Sequence, residues 1–121
     1  MSRAPRVVAA PTRIPVPGGK SIDEYVGRVT TGTPEVSVAH MVAPAGWEEP
    51  AQTPDFDEIT VVLKGSVHVE HDGGAVDVHA GQAVITYAGQ RVRYSTLDEG
   101  AEYVAVCLPA FAPDLAHRDD D

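Results

Sequence analysis

Glu58 is the residue from which a chemical reading of this chain starts. It stands in residues 54–65, Pro-Asp-Phe-Asp-Glu-Ile-Thr-Val-Val-Leu-Lys-Gly, where the pair Asp57 and Glu58 opens a β-branched run and Gly65 closes it. Side chains of a strand alternate between faces, so Glu58, Thr60 and Val62 share one face and Ile59, Val61 and Leu63 the other. The wholly apolar face is expected to pack, leaving the Glu58 face free to line a pocket. A carboxylate held in partly apolar surroundings loses hydration, its pKa rises toward neutrality, and it can then take and give protons near pH 7. The alternative for the same residue is structural, a Glu58 paired with Arg91 or Arg93. Asp57 points the other way by the same alternation, toward the loop or a surface cation.

The remaining reactive side chains read more plainly. Cys107 lies in the apolar run 103–108 and is expected to be a buried small hydrophobe. His68 alternates with Val67 and Val69 on the side of Ser66 and Glu70, the pattern of a solvated face. His71 borders a turn, His79 ends a strand, and His117 belongs to a charged C-terminal stretch, so surface positions are expected for all three. None of these histidines makes a metal site by spacing.

The elements that must position Glu58 are strands. Residues 35–42, 58–63, 66–71, 75–79, 83–87, 91–96 and 102–108 carry β-branched or alternating patterns, and Asp72-Gly73-Gly74, Ala80-Gly81-Gln82, Ala88-Gly89-Gln90 and Asp98-Glu99-Gly100 supply tight turns between them. In residues 35–42, Val36, Val38, His40 and Val42 alternate with Ser37, Ala39 and Met41. Residues 21–29 fit either one helical turn begun by Ser21 with Glu24 three places on, or a short strand at residues 25–29. Short strands, short turns and no long amphipathic helix predict an all-β antiparallel sandwich or barrel.

With 121 residues one domain is expected, divided as an extended arm over residues 1–20, a barrel over 21–113 and an acidic, disordered tail over 114–121. Pro5, Pro11, Pro15 and Pro17 allow the arm at most an edge strand at residues 6–9. The net charge of −9 argues against nucleic acid, because phosphate binding requires concentrated Lys and Arg. No apolar run reaches membrane-spanning length and no leader is visible, so a cytoplasmic protein without membrane contact is expected.

Gly46, Glu58 and Gly65, followed by Gly81 and Gly89, carry a family resemblance. The chain resembles a single-domain cupin, a small jelly-roll barrel, through an E-x6-G spacing at Glu58 and Gly65 and a second glycine-marked motif. The pattern Gly46-Trp47-Glu48-Glu49-Pro50, Phe56-Asp57-Glu58 and Val61-Val62-Leu63 is similar to the EutQ-like, ethanolamine-utilisation branch. Counting along the first motif, its two histidines fall on Gln52 and Pro54; in the second, proline, histidine and asparagine positions fall on Tyr87, Val92 and Thr96. Three of the family's four metal ligands are thus missing, and neither a metal nor another cofactor is expected.

The resemblance implies that Val92, Tyr94 and Thr96 face the interior with Glu58, Thr60 and Val62, that Tyr87 sits at the mouth, and that Gln52 and Trp47 border the pocket. Trp47 is either a lid on a ligand or a cover for the sheet. His40, on the strand before the first motif, is the nearest acid/base partner or else a satisfied core histidine. The catalytic candidates are therefore Glu58, Tyr94, His40 and Tyr87, with Trp47, Gln52, Thr60, Val62, Val92 and Thr96 around the substrate. Three functions fit: a metal-independent isomerase, lyase or cyclase acting on a small organic molecule; a non-catalytic small-molecule-binding barrel; and a scaffold in a metabolic assembly. A homodimer is expected, with the arm as a clasp.

Overall fold

The computed structural model describes residues 3–119. Eight strands follow in order: β1 (Thr12–Ile14), β2 (Ser21–Val26), β3 (Ser37–Ala43), β4 (Asp57–His71), β5 (Gly74–His79), β6 (Ala83–Thr86), β7 (Val92–Ser95) and β8 (Ala101–Leu108). One four-residue helix, α1 (Pro113–Ala116), follows them. All pairings are antiparallel, and the order β1-β2-β3-β8-β4-β5 has β6 and β7 also paired to β4. The result is an all-β jelly roll.

β4 joins two layers. Its first half pairs with β8 and β6, and its second half, from Ser66 to His71, pairs with β5 and β7. The two strands expected at 58–63 and 66–71 are thus one element that turns at Gly65. Gly65 has φ +72°, and a Cβ there would sit 1.9 Å from the Gly100 carbonyl oxygen, so only glycine lets β4 pass this close to the β8 approach. The ladder between β4 and β8 shifts register between Val62 and Lys64, immediately before the turn.

Between the layers lie Trp47, Val62, Val67, Val69, Val78, Val92, Tyr94 and Tyr103, with Met41 and Val84 packed against them. A second cluster, Phe56, Cys107 and Ala116, seals the end near α1, where Phe56 and Phe111 meet edge to face at 5.8 Å. Val67 and Val69 are buried opposite His68, which turns outward to Asp77, as the alternation predicted.

The faces of β4 are the reverse of the simple packing expectation. Thr60 and Val62 are fully buried, whereas Val61 and Leu63 are 38% and 47% exposed. The wholly apolar face lies outside, because the enclosed volume is filled from the Glu58 side by residues of the other layer. Residues 21–26 form a strand, neither a helical turn nor the strand expected at 25–29, where the chain turns instead: Glu24 folds back so that its Oε1 accepts hydrogen bonds from Thr30 N and Thr30 Oγ1, both at 2.8 Å.

The chain ends also depart from expectation. The edge strand of the arm is at Thr12–Ile14, where it pairs with β2, and not at residues 6–9. The described part of the presumed tail is ordered against the barrel: Asp119 N donates to Ala51 O at 2.8 Å, Arg118 bridges Gln52, and Ala116 is buried. Residues 120 and 121 of that tail lie outside the described residues.

Candidate functional site

A cavity of about 70 Å³ opens between β2, β3, β8 and the start of β4, closed on its remaining sides by the arm, the 49–52 loop and Arg118. Strand parity explains which side chains reach it. Ser37, Ala39 and Met41 of β3, and Tyr103, Ala105 and Cys107 of β8, point inward together, because β3 and β8 pair Ser37 with Cys107, Ala39 with Ala105 and Met41 with Tyr103. β4 presents Glu58 beside Cys107, its register partner on β8. β7 contributes Tyr94 from the opposite layer. The wall is thus mainly apolar, with its polar groups confined to a few positions.

Glu58 is the central one. Its pKa is pushed up to about 7, first by burial and then by the neighbouring carboxylate of Glu49, against the opposing pull of Lys20, a hydrogen bond from Thr60 Oγ1 to its Oε2 at 3.4 Å, and Arg118. Glu49 is raised too, again chiefly by burial, with Lys20 and Arg118 opposing; Arg118 Nη2 lies 3.7 Å from Glu49 Oε2. The Tyr94 hydroxyl is 2.7 Å from Thr86 Oγ1, and burial keeps it protonated well beyond neutrality. Burial likewise pushes Tyr103 and Cys107 up, so Cys107 is a neutral thiol rather than a nucleophile.

Gln52 enters the cavity from a loop fixed to two elements. Its backbone exchanges hydrogen bonds with Val92 at 2.8 and 2.9 Å and forms an isolated bridge with Arg118. Its side chain is buried, and Oε1 has no hydrogen-bond partner. A buried acceptor without a donor costs roughly 1–3 kcal/mol, a penalty that a ligand hydroxyl, amine or water can relieve.

Lys20 stands across from these groups. Gly18 and Gly19, both in the left-handed region at φ +88° and +80°, turn the arm so that Lys20 leads into β2 with its Nζ 4.3 Å from the Trp47 ring centroid and 5.4 Å from that of Tyr103. Burial lowers its pKa, opposed by Glu49 and Glu58. Lys20 also lines an adjoining cleft of about 160 Å³ with Trp47, Glu49 and Arg118.

The sequence-based candidates divide accordingly. Glu58, Tyr94 and Gln52 meet in the cavity. Thr60 lies beneath it as the hydrogen-bond partner of Glu58, while Val62 and Val92 are core residues behind the wall. Thr96 is a structural tie: its Oγ1 donates to Pro44 O at 2.6 Å and accepts from Trp47 N at 3.0 Å. Trp47 is buried at the cleft rather than held over the mouth as a lid.

His40 and Tyr87 do not belong to the site. β3 turns His40 outward, where its Nε2 lies 2.8 Å from Glu102 Oε2. Tyr87 is 59% exposed at the β6–β7 turn, away from the cavity. The arginines that would make Glu58 a structural ion pair are engaged elsewhere: Arg93 with Glu48 and Arg91 with Asp119. Asp57 fixes a loop, accepting from Ala88 N at 2.8 Å. Sequence reasoning missed Lys20, Glu49 and Arg118. The available signal was a lone lysine directly after a Gly-Gly turn, but the two ends of the chain gave no sign that they converge.

A transition metal does not fit these donors. The cavity has no histidine in its wall, and the described residues hold no group of three or more His, Cys, Asp or Glu side chains that could bind a metal ion.

The profile of the AraC-binding-like domain matches residues 7–119. Among solved structures, the fold is similar to an ethanolamine utilization protein Q from Salmonella typhimurium LT2 (TM-score 0.65, 23% identity, covering 76% of this chain and 71% of that one). It is also similar to KdgF from Halomonas sp. (TM-score 0.69, 17% identity, 83% and 89% covered). Oxalate decarboxylase from Bacillus subtilis matches with TM-score 0.76 and 19% identity over 92% of this chain and 30% of that one. A protein named endoribonuclease YbeY from Myxococcus xanthus (strain DK1622) is 46% identical over 107 residues, 88% of this chain, but the chain spans only 36% of that protein's length. With the jelly roll, the inward Glu58 and a family match over residues 7–119, the chain belongs to the AraC-binding-like domain family and has a cupin fold similar to that of EutQ.

Proposed function

We propose that this cupin binds a small organic molecule in the Glu58 cavity without a metal and moves a proton on it, the chemistry of an isomerase, lyase or cyclase. The observation that carries the reading is a carboxylate whose pKa of about 7 leaves it half protonated at neutrality, set in a cavity with a protonated tyrosine hydroxyl and a buried acceptor lacking a partner. Glu58 is the acid/base, Tyr94 donates to developing negative charge on a ligand oxygen, and Gln52 Oε1 accepts a ligand donor. The volume favours a molecule of a few heavy atoms, since a single water needs roughly 10–15 Å³ of such space. The formal charge of −9 favours a small molecule over RNA as partner.

A second reading, binding without turnover, is favoured by the family description itself and by the likeness to EutQ, which would suit a sensor or a scaffold in a metabolic assembly. Solvent-deuterium exchange separates the two. Small hydroxy, amino and carbonyl compounds that stabilise the protein thermally are incubated in heavy water and followed by proton NMR. Loss of a carbon-bound ligand proton with wild type, and not with Glu58→Gln, supports turnover. Ligands that bind without any exchange reject it and leave the binding role.

A further inference from the structure

The sequence contains two lysines, Lys20 and Lys64, in contrasting places. Lys64 is 82% exposed, with Nζ 3.9 Å from Glu102. Lys20 lines both the cavity and the cleft, and its ammonium position is set by the faces of Trp47 and Tyr103. Among the described residues Lys20 has no hydrogen bond and no carboxylate within 4 Å. When the amine loses its proton, no protein donor therefore occupies its lone pair.

We propose that Lys20 is a nucleophilic amine that forms an imine with a small carbonyl compound, an aldehyde or an α-oxo acid, admitted to the cavity. This deepens the proton-transfer reading and rests on it, because imine formation needs an acid. The neutral Nζ attacks the carbonyl carbon; a C–N bond forms while the carbonyl π pair moves to oxygen, which takes a proton from the Glu58 carboxyl. Nitrogen then gives up a proton, its lone pair expels the hydroxyl, a second proton makes that hydroxyl water, and an imine in its protonated form remains. No oxidant or reductant is consumed. Burial holds the Lys20 pKa below that of an ordinary lysine, increasing the neutral fraction that can attack.

The surroundings suit both ends of the step. The protonated imine keeps one positive charge where the ammonium was, so the Trp47 and Tyr103 faces and the nearby Glu49 and Glu58 carboxylates stabilise it as they did the lysine. A carboxylate on the ligand would meet Arg118, which shares the wall. The small cavity excludes bulky ketones.

The test uses the full chain with glyoxylate and sodium cyanoborohydride at pH 7, with peptide mapping of the two lysines over time. Lys64 is an internal control in every sample. The proposal expects Lys20 to be trapped as a secondary amine severalfold faster than Lys64, because burial lowers the Lys20 pKa and enlarges the neutral fraction that attacks. Trapping of Lys20 no faster than Lys64 overturns it, and does so in wild type, without any question of misfolding. The Glu58→Gln protein separates this claim from the one beneath it. Preferential Lys20 trapping that slows in Glu58→Gln supports both assignments, whereas preference unchanged by the substitution keeps the amine and removes Glu58 as its acid.

Discussion

Replacing Glu58 by Gln keeps the shape of the side chain and an oxygen that can accept from Thr60, but removes the titration. In the folded protein the carboxyl has a pKa of about 7, against 4.5 for an ordinary glutamate in the unfolded chain. A raised acid pKa means that the native state binds the proton more tightly, so between these two values stability falls as pH rises. The contribution is fully present below about 4.5 and lost above about 7. At about 1.4 kcal/mol for each tenfold change, this interval is worth roughly 3 kcal/mol, the cost of holding an ionised Glu58 in the cavity above neutrality. Glu58→Gln is exempt from that cost. Thermal melts of the two proteins at pH 5 and pH 8 should therefore nearly coincide at the lower pH, with the variant melting on the order of 10 °C higher at pH 8, taking about 4 °C per kcal/mol for a domain of this size. A variant that melts below wild type at pH 8 would refute the reasoning, since that is the behaviour of a glutamate stabilised by an ion pair.

Further outcomes follow from single contacts. Thr96→Val should lower stability by about 1–2 kcal/mol in denaturant unfolding, because the Pro44 carbonyl and the Trp47 amide lose the hydroxyl they share and keep only their 3.3 Å bond to each other. Gly65→Ala, strained at φ +72° and directed into the Gly100 carbonyl, should cost at least about 2 kcal/mol or leave the protein insoluble. Metal analysis of the purified protein should give well under one equivalent of tightly held transition metal; stoichiometric metal lost in Glu58→Ala would contradict the donor reading. For the proposed homodimer, Val42, Val61, Leu63 and Ile85 are exposed on the outer face, an apolar strip interrupted by Glu102 between Val42 and β4, which a second copy can cover. Light scattering should give a dimer that Val61→Glu converts to monomer with its melting retained, and a monomeric wild type would dismiss it.

Most of the strands were legible because alternation and glycine turns are local signals. Residues 37–43, 74–79, 83–86, 92–95 and 101–108 fold close to where the pattern puts them. The inward direction of Glu58 was legible from its polarity against Ile59 and Val61, but the packing of that apolar face was not, since alternation separates two faces without saying which is enclosed. His40 was misplaced for the same reason: both faces of its strand are largely apolar, and its parity depends on β8, paired with it from sixty residues away. Lys20, Glu49 and Arg118 were illegible in a stronger sense. A proline-rich arm and a charged C-terminal stretch look like solvated ends, and only the docking of β1 on β2 and of Arg118 on Gln52 makes them walls of one cavity.

The central claim is that Glu58 exchanges a proton at neutral pH inside the cavity. Carbon-13 NMR of the glutamate side-chain carboxyls, with the Glu58 resonance assigned by its disappearance in Glu58→Gln, reads this directly. The expected titration midpoint lies near 7, as burial and Glu49 together require. A midpoint at or below 4.5, the ordinary glutamate value, would show a carboxylate already ionised at neutrality and would contradict the claim.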